Sequence, residues 1–230
     1  MKKSQNNRKG FTLIELLTVI AIIGILAALA SQAIPMAMNT VRRMVATSNL
    51  RQIAQASVNY SQSGGANGRT IREGSEPKAG KASSVAEYAE ILARSSGLTD
   101  AAVWYVTTDD ALDGIEIPRT VLSETTDGTN QMKEAKPISW AVVVNAKKTP
   151  KDPSGYPIAW LRGLQTSGEW KEESPFGLGH GIVAFADASV KQVDNLLADE
   201  NKFRAADGKS DTSSYQEAIG DNAKVLEDSI

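Results

Sequence analysis

Glu15 is the one ionisable side chain between Lys9 and Arg42. Around it, Leu13, Ile14 and Leu16 open a run that stays apolar to Ala30 except at Thr18 and Gly24. A carboxylate there can accept hydrogen bonds or neutralise a cation, and unpaired at the centre of a bilayer-spanning helix it costs roughly 2.5–3.5 kcal/mol. Its chemistry is that of a counter-charge, which requires a partner. The other candidate groups say less. His180 is the sole histidine, lies between Gly179 and Gly181, and belongs to no Ser-His-Asp arrangement that spacing supports. Asp109, Asp110 and Asp113, ahead of Gly114, are weak candidates for Ca²⁺ ligation; they depart from EF-hand spacing, and a solvated acidic turn is the commoner outcome for such a cluster. Lys147, Lys148 and Lys151 form a basic patch too small for a nucleic-acid interface. The chain has no cysteine, which removes disulfides, thiolate metal sites and cysteine nucleophiles. No enzyme and no obligatory cofactor are expected.

The element that must position Glu15 is a long apolar helix. A helix over residues 11–34 would span about 36 Å at 1.5 Å per residue, enough to cross the hydrocarbon core. Lys2, Lys3, Arg8 and Lys9 precede it without an acid, which predicts a cytoplasmic N-terminus and a translocated C-terminal body. The rest of the chain then carries 21 basic against 27 acidic residues, an acidic body behind a cationic leader. Three readings fit a basic leader and an apolar run. A secretory signal peptide would use Ala28-Leu29-Ala30 as its cleavage site. A plain signal anchor would stay in place. Neither gives Glu15 a purpose.

The third reading does. Lys9-Gly10-Phe11-Thr12-Leu13-Ile14-Glu15 closely resembles the processing site of type IV pilins and type II secretion pseudopilins. The resemblance implies cleavage between Gly10 and Phe11 by a prepilin peptidase, N-methylation of Phe11, and retention of the apolar helix. It also implies that Glu15 of one subunit neutralises the Phe11 amine of its neighbour during assembly. Such pairing sets register more than it adds stability. Gly24 and Pro35 are tolerated kinks, or a segment able to unwind when subunits pack, as the likeness to pilin filaments implies.

Beyond Pro35 the helix is predicted to run to about Gln62, with Leu50, Ile53, Ala54, Ser57 and Val58 on one face. Residues 63–82 read as a loop. Ser84-Val85-Ala86-Glu87 is a capping box that opens a helix to Arg94, closed by Gly97. Strands are predicted at Val103–Val106, Ile138–Asn145 and Pro157–Arg162, with a hairpin formed by Ile182–Ala186 and Ser189–Val193. Residues 107–137 read as a long excursion, and weak helical signals cover Asn195–Phe203 and Tyr215–Ile219. Asp152-Pro153-Ser154-Gly155-Tyr156-Pro157 is a turn by its own chemistry. It resembles the Asp-Pro-x-Gly-x-Pro loop of pseudopilins, with Ser154 where tryptophan is usual. His180 to Val190 resembles the C-terminal hairpin of a bacterial pilin-like group, although Ala188 fits a tight turn poorly. Trp104, Trp140, Trp160 and Trp170 are read as core, with a sugar platform as the alternative.

The expected fold is α+β and pilin-like: a long N-terminal helix, half transmembrane and half amphipathic, packed on a small antiparallel sheet. Its parts are a cytoplasmic leader (1–10), a transmembrane helix (11–34), an amphipathic continuation (35–62) and a globular domain (63–230). The resemblance implies a structural subunit of a type II secretion pseudopilus or related type IV filament. Its partners would be other pilin or pseudopilin subunits, the prepilin peptidase, an inner-membrane assembly platform and the membrane, with no nucleic acid. The chain would lie in the inner membrane as a single pass with a periplasmic body, then in a periplasmic or surface filament. The alternative is a minor tip subunit or adhesin that contacts a surface or cargo through residues 63–137. Calcium, which major pseudopilins bind, stays open.

Overall fold

The computed structural model describes residues 11–64, 68–123, 128–198 and 201–229. Gly10 and the rest of the leader lie outside the described residues. The chain divides into two compact units, Met1–Arg43 and Met44–Ile230, and the boundary falls within one helix. That helix, α1, runs from Leu13 to Gln62 and continues through Pro35.

In the first unit α1 is an apolar rod. Leu13, Ile14, Leu17, Ile20, Leu26, Leu29 and Ile34 are all exposed, and α1 is long and apolar enough to cross a membrane. Ser31 and Thr40 donate their hydroxyls back to the carbonyls of Ala28 and Met36, which removes polar groups from the apolar surface. A Cβ added at Gly24 would meet nothing within 4 Å, so no packing inside the chain requires glycine there.

The second unit is the α+β body. Ala46, Leu50, Ile53, Ala54 and Tyr60 of α1 enter its core at helical spacing. Five antiparallel strands form the main sheet in the order β6-β5-β4-β3-β9: β3 (Trp140–Val144), β4 (Pro157–Leu161), β5 (Gly181–Phe185), β6 (Val190–Val193) and β9 (Lys224–Leu226). The three central strands, β3 to β5, are buried along their whole length, as their unbroken apolar sequences require. Two-residue pairs, β1 (Arg72–Glu73) with β2 (Lys81–Ala82) and β7 (Phe203–Arg204) with β8 (Asp211–Thr212), brace the loops.

Helix α2, Val85–Ser96, starts where the capping residues place it. The Ser84 side chain accepts from the Glu87 amide at 3.3 Å, and Gly97 closes the helix in the left-handed conformation at φ 74°. The return arm of the box is displaced by one residue: Glu87 accepts from the amide and hydroxyl of Ser83, both at 2.8 Å. Burial pushes the Glu87 carboxyl up, but hydrogen bonds from Ser75 and Ser83 and the Lys133 charge more than reverse this and hold it below its usual range. Tyr88 shares a hydrogen bond with Ser57 of α1, and burial pushes its phenol up to about 12.

Two predicted elements are corrected. Val103–Val106 is not a strand. Asp100 caps the Ala102 amide at 2.9 Å and folds Ala101–Trp104 into a 3₁₀ turn. Its carbonyls find partners across the core, since Trp140 Nε1 donates to Val103 O and the Ser139 amide to Trp104 O. Asn195–Phe203 is not an α-helix in its described residues, although Asn201 takes a 3₁₀ conformation. Asn195 Oδ1 captures the Leu197 amide at 2.8 Å in a local turn, and Phe203 opens β7. By contrast, Tyr215–Ile219 is the short helix α3, as predicted.

The excursion over 107–137 carries 3₁₀ turns at Asp110–Leu112 and Gln131–Lys133. Asn130 ties it to α2, donating to Ala86 O at 2.7 Å and to Glu90 at 3.3 Å, while its oxygen accepts from the Met132 amide at 3.0 Å.

At the β5–β6 hairpin the Ala188 amide donates to Phe185 O, the Phe185 amide donates to Ser189 O, and Ala188 stands at φ 64°. Only this residue takes the left-handed conformation, so the turn has a bulge and lacks the two positive-φ residues of a type I′ turn. Ala188→Gly is expected to raise stability by about 0.5–1 kcal/mol, because relief of the left-handed alanine outweighs the added chain entropy. Urea unfolding of the detergent-solubilised protein measures it.

Candidate functional site

The helix start is built by two side chains. Thr12 precedes Leu13, the first residue of α1, and Glu15 stands at its third position. The Thr12 amide donates to Glu15 Oε2 at 2.8 Å and the Thr12 hydroxyl to the same oxygen at 2.7 Å. In return the Glu15 amide donates to Thr12 Oγ1 at 3.3 Å. This is a reciprocal capping box, which satisfies two helix-end amides that would otherwise lack a partner. Thr12 is the residue that the counter-charge reading passes over. Its signal was present, a threonine three residues before a glutamate at the head of an apolar run.

The box changes what Glu15 can do. Its carboxylate is aimed and partly solvated by its own helix end, and among the described residues no cation pairs with it. The helix N-terminus also favours a negative charge at this position. Phe11 lies just ahead and is 79% exposed. The arrangement offers a charged acceptor, held in one orientation, on a helix surface that is otherwise apolar. Gly10, the other half of the expected cleavage site, lies outside the described residues.

The remaining candidates are dispersed. Asp109 is turned inward: Arg162 Nη2 contacts its two oxygens at 2.6 and 2.7 Å, and Ser139 donates to it at 2.8 Å. Asp110 and Asp113 stay exposed, and among the described residues no group of acids or histidine is gathered to hold a metal. His180 is half-buried with Nδ1 3.0 Å from Asp194 Oδ1, a surface pair. Lys147 donates to Ala206 O. All four tryptophans are fully buried, so they fill the core and offer no sugar platform. In the Asp152 turn the carboxylate accepts from the Ser154 amide and hydroxyl, and the Ser154 bond leads in holding its carboxyl below the usual range. Gly155 is required there by close approach, since a Cβ would lie 2.7 Å from that of Arg204.

Among known proteins, residues 5–31 match the family model described as the prokaryotic N-terminal methylation motif. No curated protein and no solved structure matches the chain. The matched segment contains Gly10, Phe11, Thr12 and Glu15 and the apolar run as far as Ala30. It is a prepilin-type signal of the type IV pilin-like class, and the exposed apolar helix that follows fits a single-pass membrane anchor.

Proposed function

We propose that the chain is a structural subunit, a pseudopilin, of a type II secretion pseudopilus or related type IV filament. A prepilin peptidase cleaves it between Gly10 and Phe11 and methylates the new amine on Phe11. The subunit waits in the inner membrane with its body on the periplasmic side, then enters the filament through α1. The observation that carries this reading is the pairing of an exposed apolar helix with a fixed carboxylate, inside a matched methylation signal. Beyond its part in the helix cap, Glu15 carries a charge for which neither a secreted signal peptide nor a plain anchor has use. Pilin-like subunits of this class are structural. Mass spectrometry of the membrane-extracted protein tests the reading. An N-terminus at Phe11 bearing one methyl is expected. A start at Ser31, or an intact Met1, would overturn it.

A second reading, a minor tip subunit that binds a surface or cargo through residues 63–137, has one observation in its favour. Two adjoining cavities open on the body, and Gly68, Arg72, Lys78 and Arg94 from this region line the larger of them.

A further inference from the structure

The cavities share Tyr60, Arg69, Thr70 and Lys148, so they form one continuous depression beside the C-terminal end of α1. The larger, about 600 Å³, is lined by Arg69, Arg72, Lys78, Arg94 and Lys148. The smaller, about 380 Å³, has apolar walls from Val58, Ile71, Val143 and Ile158, with Lys147 and Lys148 at its side. Among the described residues no carboxylate lines either cavity. That is unexpected in a body where acids outnumber bases.

The fold removes the acids that sequence places nearby. Glu73 is held by Lys224 at 2.5 Å and Glu76 by Lys81 at 2.8 Å, both cations outside the cavity lining. Glu90 takes Arg94 at 3.0 Å, and Arg94 also donates to Gly128 O. Among the described residues Arg69, Arg72 and Lys78 form no ion pair. The result is a cationic bowl joined to an apolar slot.

We infer that this depression is a docking site for an acidic peptide segment of a partner protein, with carboxylates in the arginine-lined cavity and an adjacent apolar side chain in the smaller one. The inference rests on the second reading, a binding role for the 63–137 region, and does not depend on filament assembly. Arginine forks match carboxylates in bidentate geometry, and clusters of them are a recurrent means of recognising acidic segments. The apolar slot supplies the anchor that charge alone lacks. Nucleic acid and sugar are less well served. Among the described lining residues the aromatic rings are those of Tyr60 and Tyr88, which are 8% and 3% exposed and give no face on which a base or sugar could stack.

The test is fluorescence anisotropy on the detergent-solubilised full chain with a labelled Gly-Glu-Glu-Leu-Glu-Gly peptide. Saturable binding is expected that weakens from low salt to ~0.5 M. Arg69→Gln with Arg72→Gln should weaken it about tenfold. Lys78→Gln should weaken it less, and glutamine in place of the peptide's glutamates should abolish it. All three arginine and lysine side chains are exposed, so the variants should melt as the parent does. Binding that ignores the arginine variant, or that persists with the glutamine peptide, overturns the inference. An alginate or duplex DNA probe bound more tightly than the peptide, and weakened by the same variant, keeps the binding role but overturns the partner class. Failure of all three probes overturns both.

Discussion

Glu15→Gln is expected to leave the subunit inserted, cleaved and methylated, and to cut its incorporation into filaments at least about tenfold, the equivalent of ~1.4 kcal/mol. Glutamine at this position keeps the capping box, because its side-chain oxygen can still accept from the Thr12 amide. What it loses is charge. A neighbour's Phe11 ammonium would then enter the apolar environment of packed helices without its counter-ion, at a penalty of several kcal/mol. Glu15→Ala loses both the charge and the carboxylate arm of the box, leaving the Thr12 hydroxyl bond as what remains of the cap. The two variants should therefore fail alike in assembly, while only the alanine variant frays the helix start. Thr12→Val gives the converse. It removes the hydroxyl bonds and keeps the carboxylate, so assembly should survive. Immunoblots of sheared filament against membrane fractions read all three. Assembly of the glutamine variant at parental levels would reduce Glu15 to a helix cap and remove the counter-charge argument.

What the sequence made legible follows from where the determining contacts lie. The capping box at Ser84, the closing Gly97 and the apolar runs of β3 and β4 are local signals, and the structure realises them within a residue or two. The N-terminal site is equally local, since Thr12 and Glu15 lie within one helical turn. Val103–Val106 was misread because its apolar and aromatic residues suit a strand, whereas Asp100 and the distant Ser139 set its geometry. The acids near Asp109 were indistinguishable by type. Only folding decides which of them turns inward, and the deciding residue, Arg162, lies 53 positions along the chain. The cationic depression was illegible for the same reason. Its arginines and lysines are scattered over α2, β1 and several loops, and it is cationic only because Lys224 and Lys81 hold the acids elsewhere.

The Asp109–Arg162 pair is expected to be the most sensitive point of the body. Both side chains are 1% exposed, and the pair joins the irregular excursion to the end of β4. Asp109 also accepts from the Ala111 amide at 3.2 Å and from Ser139, whose hydroxyl in turn accepts from the Val106 amide. One carboxylate thus organises residues 106–111. Among the described residues Arg162 Nε and Nη1 have no hydrogen-bond partner, so its charge is balanced chiefly through Nη2 and, more weakly, by Glu227, whose own carboxyl burial pushes up. Arg162→Met should strand a buried carboxylate, and Asp109→Asn a buried guanidinium; each is expected to destabilise by ~3–5 kcal/mol. The double variant leaves a neutral asparagine that can keep the Ser139 and Ala111 bonds beside a methionine of similar length. It should be no less stable than the worse single variant, far from the sum of the two. Urea unfolding of the four proteins gives the coupling energy directly. Additive losses would mean that the two residues act separately, Asp109 as a turn cap and Arg162 as packing, and that the ion pair itself contributes nothing to holding the excursion in place.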